Sequence, residues 1–147
     1  MADIYVMAEG DVGAPAARVY GILADYRQHH PKILPPAFSD FQVDEGGVGA
    51  GTVIRFRLKA GGRTEDYRGV VSEPEPGRVL REDYPARTSA TTFTVTPNGD
   101  TCRVRIETTG QRGGLGGFVE RLLAPRVLIP LFTDELARLD RYAREQG

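Results

Sequence analysis

Between residues 38 and 111 the chain offers one short alternating segment after another, separated by Gly, Pro, Asn and Asp, with no stretch of helical period among them. Antiparallel strands can be joined by a tight turn, whereas parallel strands need a crossover of a dozen or more residues. The middle of the chain is therefore confined to consecutive antiparallel strands. The spacing predicts them at residues 38–45, 52–59, 64–72, 79–84, 91–96 and 101–109. The clearest alternation sets Ile54, Phe56 and Leu58 against Arg55, Arg57 and Lys59, and Cys102, Val104 and Ile106 against Arg103, Arg105 and Glu107. GGVGAG (46–51), EPEPG (73–77) and PNGD (97–100) read as turns.

The flanks differ from this middle. Residues 3–12 alternate as a further strand, which Gly13-Ala14-Pro15 ends. A short helix follows, with Val19, Ile22, Leu23 and Tyr26 at helical spacing and the proline in its first turn. Pro31, Pro35 and Pro36 then allow only one more short turn near residues 26–30. From about residue 116 the period becomes helical to the end. Phe118, Leu122, Pro125, Ile129, Phe132, Leu136, Leu139 and Ala143 form one stripe of a helix roughly 40 Å long. Pro125 and Pro130 predict a kink or a short break in it. The fold class is α+β, a curved seven-stranded antiparallel sheet around a long kinked C-terminal helix, with two short helices after the first strand. That helix is the only element large enough to cover the sheet's apolar face, and a sheet gripping it leaves space between them.

The order of elements carries a resemblance. The opening strand followed by GAPAARVYGILADYRQH, the proline corner, GGVGAGTVIRFRL, GGRTEDYRGVVSEPEPGRVLREDY and GGLGGFVERLLAPRVL together resemble the START-like or SRPBCC helix-grip superfamily, and within it the polyketide cyclase/dehydrase-like members. The resemblance covers nearly the whole chain and implies a cavity between sheet and helix that holds a small hydrophobic molecule. It implies no universal catalytic residue, so none is assigned, and it implies no cofactor.

A length of 147 residues suggests one domain with a full core. The net charge of −1, from 19 basic and 20 acidic residues, gives no pull toward nucleic acid. The single cysteine, Cys102, excludes an intramolecular disulfide. MADIYVMAEG lacks the pattern of a signal peptide, and no apolar run reaches membrane-span length, so a cytoplasmic location is expected.

YRQHHPKILPPAF (26–38) draws attention first among the candidate sites. Adjacent residues point in different directions, and with two histidines and one cysteine the chain lacks the ligands of a His/Cys zinc site. No metal is expected. His29 and His30 are read as rim residues that help stop the short helix before Pro31, with an acid–base role for one of them as the alternative. GGVGAG leads into a strand rather than a helix, so it is a mobile hairpin turn and no dinucleotide fingerprint. GGLGGF precedes a helix but lacks the lysine of a phosphate loop. Arg55, Arg57, Arg68, Arg103 and Arg105 are read as the solvent face of the sheet, matched with Glu65, Asp66 and Glu107. Glu82 and Asp83 are strand neighbours, so only one can face inward. The expected arrangement leaves them exposed near Arg81 or Arg87, while an inward carboxylate would have a raised pKa and could act as an acid.

The expected ligand contacts are Tyr26, His30, Leu34, Phe38, Phe56, Tyr67, Tyr84, Phe93, Phe118, Leu122 and Ile129. Tyrosine hydroxyls would orient a polar end of an otherwise apolar ligand. The expected function is binding of a small hydrophobic or amphipathic molecule. The alternatives are a polyketide cyclase/dehydrase-like enzyme working through a pocket His, Tyr or carboxylate, and a protein-interaction module with a filled core. The oligomeric state stays open between monomer and homodimer.

Overall fold

The computed structural model describes residues 4–60, 62–110 and 114–146, with side chains for 4–59, 62–110 and 125–146. The elements are β1 (Ile4–Val12), α1 (Ala16–Ala24), a 3-10 turn (His30–Ile33), β2 (Phe38–Glu45), β3 (Val53–Ala60), β4 (Arg63–Glu75), β5 (Val79–Tyr84), a second 3-10 turn (Pro85–Arg87), β6 (Ser89–Asn98), β7 (Thr101–Gly110) and α2 (Gly114–Glu145). All seven strands form one antiparallel sheet in the order β1-β7-β6-β5-β4-β3-β2. The β1–β7 pairing brings the two ends of the strand series together, and α2 packs across the inner face. This is the helix-grip arrangement.

The period-two pattern fixes the faces. Ile54 pairs with Gly69 and Phe56 with Tyr67, so the inward set of β4 is Tyr67, Gly69 and Val71. The outward arginines are paired across strands: Arg55 with Asp44, Arg57 with Asp66 and Asp40, Arg103 with Glu9 and Asp11, Arg105 with Glu9. Glu107 instead accepts a hydrogen bond from Tyr5. These pairs are exposed and contribute little individually. Cys102 is buried within β7, where burial pushes its thiol up to about 11.

Several boundaries depart from expectation. β4 continues to Glu75, into the stretch read as a turn. β6 extends through Pro97, which it can do because β5 ends opposite Thr94 and leaves Pro97 paired on one side only. Pro15 caps α1 from outside, its carbonyl accepting from Val19 N at 3.1 Å. α1 buries Val19, Tyr20, Ile22, Leu23 and Ala24, and has no side-chain cap; nine residues hold as a helix through that packing. α2 passes Pro125 and Pro130 without a break.

The 46–52 segment is a pinned loop, not a mobile hairpin turn. Gly47 O accepts from Tyr26 N at 2.8 Å, and Gly49 N donates to Ala24 O at 3.0 Å. Arg27 donates to Gly46 O, while Glu73 accepts from Ala50 N and from the Tyr20 hydroxyl. Gly49 has φ +67, and a Cβ there would sit 2.4 Å from the Glu73 carboxylate. The glycines thus let the loop lie flat against the end of α1.

Candidate functional site: an aromatic cavity with two buried carboxyls

A cavity of about 90 Å³ lies between the inner face of the sheet and α2. Its sheet wall comes from Phe38 and Phe41 of β2, Ile54, Phe56 and Leu58 of β3, Tyr67 of β4, Tyr84 of β5 and Phe93 of β6. Leu128, Leu131 and Phe132 of α2 close it, with His30 and Leu34 at the proline corner. The rings pack on one another: Phe56 stacks on Tyr67 at 5.3 Å, Phe38 tilts against Phe56 at 5.4 Å, and Tyr84 meets Tyr67 edge-on at 5.5 Å. Gly69 makes room for Tyr84; a Cβ at that position would sit 2.8 Å from the ring.

One end of the cavity is polar. Glu82 shares the inward face of β5 with Leu80 and Tyr84 and is 4% exposed. Its two oxygens accept from separate phenols, Tyr26 at 2.6 Å and Tyr84 through a shorter contact. The Thr91 hydroxyl bonds to Tyr84 and meets Thr108 at 2.8 Å. Because Tyr84 gives its own hydrogen to Glu82, Thr91 donates to Tyr84 and Thr108 donates to Thr91. The result is a directed chain from Thr108 to the Glu82 carboxylate. Burial and then the Glu82 charge hold both tyrosines well above the usual phenol range.

His30 is buried, not at the rim, and Pro31 lies inside the 3-10 turn rather than after a helix stop. The ring stacks on Tyr26 at 4.5 Å and meets Phe93 edge-on at 5.5 Å. Its Nδ1 lies 2.6 Å from Leu23 O, and a carbonyl only accepts, so Nδ1 carries the hydrogen. Nε2 then faces Glu82 Oε2 at 3.9 Å as a lone pair. Burial lowers the His30 pKa, opposed by Glu82 and the Leu23 carbonyl. His29 is half-buried and binds the Tyr142 hydroxyl of α2 at 2.7 Å.

Glu135 of α2 is 3% exposed and lines the same cavity. Burial first, then Glu82 and Asp134, push its pKa well above the ordinary carboxylate range.

Of the residues the sequence singled out, His30, Leu34, Phe38, Phe56, Tyr67, Tyr84 and Phe93 line the cavity together. Tyr26 stands behind the lining and holds Glu82. Ile129 is a correction: it is 42% exposed and does not line the cavity. At 100° per residue it lies about 60° from Phe132, at the edge of the stripe, and Leu128 and Leu131 turn inward instead. The side chains of Phe118 and Leu122 lie outside the described residues, as does Gly113 of the GGLGGF segment, whose residues 114–118 are described as helical backbone alone. Glu82 corrects a second expectation, since it faces in while Asp83 pairs with Arg81 outside.

Phe41, Thr91, Thr108 and Glu135 are cavity residues that sequence reasoning misses. Glu135 does leave a signal, falling at i+3 from Phe132 and i−4 from Leu139, in the apolar phase of the helix. Phe41 leaves none. A bulge between Ser39 and Gln42 inserts one extra residue, so Phe38 and Phe41 share a face that strict alternation would deny them.

The family model described as polyketide cyclase / dehydrase and lipid transport matches residues 4–144. No curated protein sequence matches the chain. Among solved structures, the KanY protein is 29% identical with a TM-score of 0.84, over 98% of this chain and 99% of that one. A protein of Thermus thermophilus is 20% identical with a TM-score of 0.79, over 97% and 99%. The Zhui aromatase/cyclase of a Streptomyces species is 16% identical with a TM-score of 0.75, over 99% and 96%, and so shares the fold. With its sheet, its gripped helix and this family match over nearly the whole chain, the protein belongs to the polyketide cyclase / dehydrase and lipid transport family.

Proposed function

We propose that the protein binds a small, largely apolar molecule in the cavity between sheet and α2. The observation that carries this reading is the aromatic-walled space with a hydrogen-bonded carboxylate at one end. Apolar walls with a few placed polar groups are the ordinary chemistry of a ligand pocket. The volume bounds the ligand. Pockets for drug-sized molecules run to roughly 300–1,000 Å³, so a space of about 90 Å³ suits one small ring or the end of a longer molecule. A fused polycyclic ligand would have to push the walls apart. Native and denaturing mass spectrometry of the purified protein tests the reading, with the released material identified by extraction. A stoichiometric apolar molecule supports it; a bare chain that also fails to bind small-ring probes sinks it.

A second reading has its own support. Tyr26, Tyr84, His30, Glu82 and Glu135 bring five ionisable side chains together at the cavity, the equipment of an acid–base enzyme of cyclase or dehydrase type. It predicts a bell-shaped pH–rate profile that loses one limb when Glu135 or His30 is replaced. A flat profile would set it aside.

A further inference from the structure

Two carboxyls line the cavity, and no lysine or arginine lines it among the described residues. Two buried carboxyls without a cation cannot both ionise cheaply. The geometry says which one keeps the proton. Glu82 takes one phenol hydrogen on each oxygen, the pattern of an ionised acceptor. Glu135 accepts no such hydrogen bond from the described residues, and its side chain lines the cavity. The neighbouring charges are already engaged: Asp134 pairs with Arg138, and His30 gives its hydrogen to Leu23 O. Glu135 is therefore a buried acid on the cavity lining, where its O–H can meet whatever occupies the space. A ligand acceptor that fills the space would satisfy that donor away from water.

We propose that Glu135, as the neutral acid, donates a hydrogen bond to a ligand oxygen, and that the cavity selects small cyclic molecules carrying a neutral acceptor such as a ketone carbonyl. This rests on the cavity being a ligand site. The Glu82–tyrosine cluster serves a different purpose: it fixes the negative charge away from the ligand and leaves Glu135 as the group that reads it. An ammonium ligand would demand the opposite protonation state, with Glu135 ionised.

The test uses three probes with seven heavy atoms each: cyclohexanone, methylenecyclohexane and cyclohexylammonium. Each is titrated into the wild-type protein, Glu135→Gln and Glu135→Leu by ligand-observed NMR. The expected result is that the ketone-to-alkene affinity ratio falls about tenfold in Glu135→Leu and is largely kept in Glu135→Gln, whose amide still donates. The bound ketone's carbonyl stretch should also lie lower in the wild type than in Glu135→Leu. An unchanged ratio, with the alkene still bound, overturns the role of Glu135 and leaves the cavity reading standing. Tighter binding of cyclohexylammonium than of the ketone, lost in Glu135→Gln, overturns the neutral-acid assignment. Failure of all three probes on the wild type overturns the cavity reading and this inference with it. If Glu135→Leu does not fold, the wild-type infrared band decides: a carbonyl at its dry-hydrocarbon frequency overturns the proposal.

Discussion

Glu82 is buried and held by two phenols, so its removal strands both of them. Glu82→Leu should cost about 2–4 kcal/mol, and Tyr26→Phe about 1–2 kcal/mol, in urea unfolding. The double variant should cost less than the sum, because the second change removes a donor already stranded. Strict additivity would show that the two groups do not act together. Protonation gives a second residue-level expectation. Glu135 has a raised folded pKa, so the folded protein binds its proton more tightly than the unfolded chain does. Its contribution is fully present below the unfolded value near 4.5 and is lost as pH rises toward the folded pKa. Glu135→Gln should therefore stabilise the protein at pH 8 relative to pH 4, by up to about 1.4 kcal/mol for each pH unit of that window. His30 has the opposite sign: its lowered pKa makes stability rise with pH up to the unfolded value near 6.5. Thermal melts of the wild type and the variant across pH separate the two. A pH-independent difference would contradict the Glu135 assignment.

At the scale of elements, the bulge in β2 decides the cavity wall. Asp40, inside the bulge, has φ +51, a left-handed conformation that glycine adopts freely and β-branched residues resist. Its ion pair with Arg57 is exposed and contributes little. Asp40→Gly should be neutral or stabilising by up to about 1 kcal/mol, and Asp40→Val destabilising by about 1–2 kcal/mol. Deleting residue 40 would place Phe38 and Phe41 two apart, opposite Leu58 and Phe56, so regular alternation would keep both on the inner face. Probe binding should then persist along with the circular dichroism of the sheet; a severalfold loss of binding would show that the bulge itself, and not only the face of Phe41, shapes the wall. The proline corner belongs to the same scale. Leu34→Ala and Phe38→Ala together should weaken binding with the fold intact, measured by titration of the same small-ring probes.

For the whole molecule, α2 is held down by contacts far apart in sequence. Asp140 accepts from Gly13 N at 2.8 Å, and Tyr142 meets His29. A cavity closed by the packing of helix on sheet links ligand binding to global stability. A small-ring ligand at 100 times its Kd should add about 2.7 kcal/mol to unfolding, visible as a concentration-dependent rise in melting temperature. Gly69→Leu, which drives a side chain into the space of the Tyr84 ring, should abolish that rise and destabilise the protein by about 1–3 kcal/mol. The strand series, the alternation within each strand and the C-terminal helix were legible because period two and period 3.6 record which side of an element meets water, and that is a local property. Phe56 follows from it, while the inward phase of Tyr67, open in the sequence against that of Asp66 and Arg68, was settled by its pairing with Phe56. The bulge that adds Phe41, the pinning of the glycine loop and the burial of His30 depended on which elements meet across the fold. Burial of Glu135 left a trace only as a polar residue in an apolar phase, and burial of Glu82 went against its expected exposure. Local pattern names the face, but only the folded sheet and helix, set across one cavity, decide which of two carboxyls gathers donors and which keeps its proton.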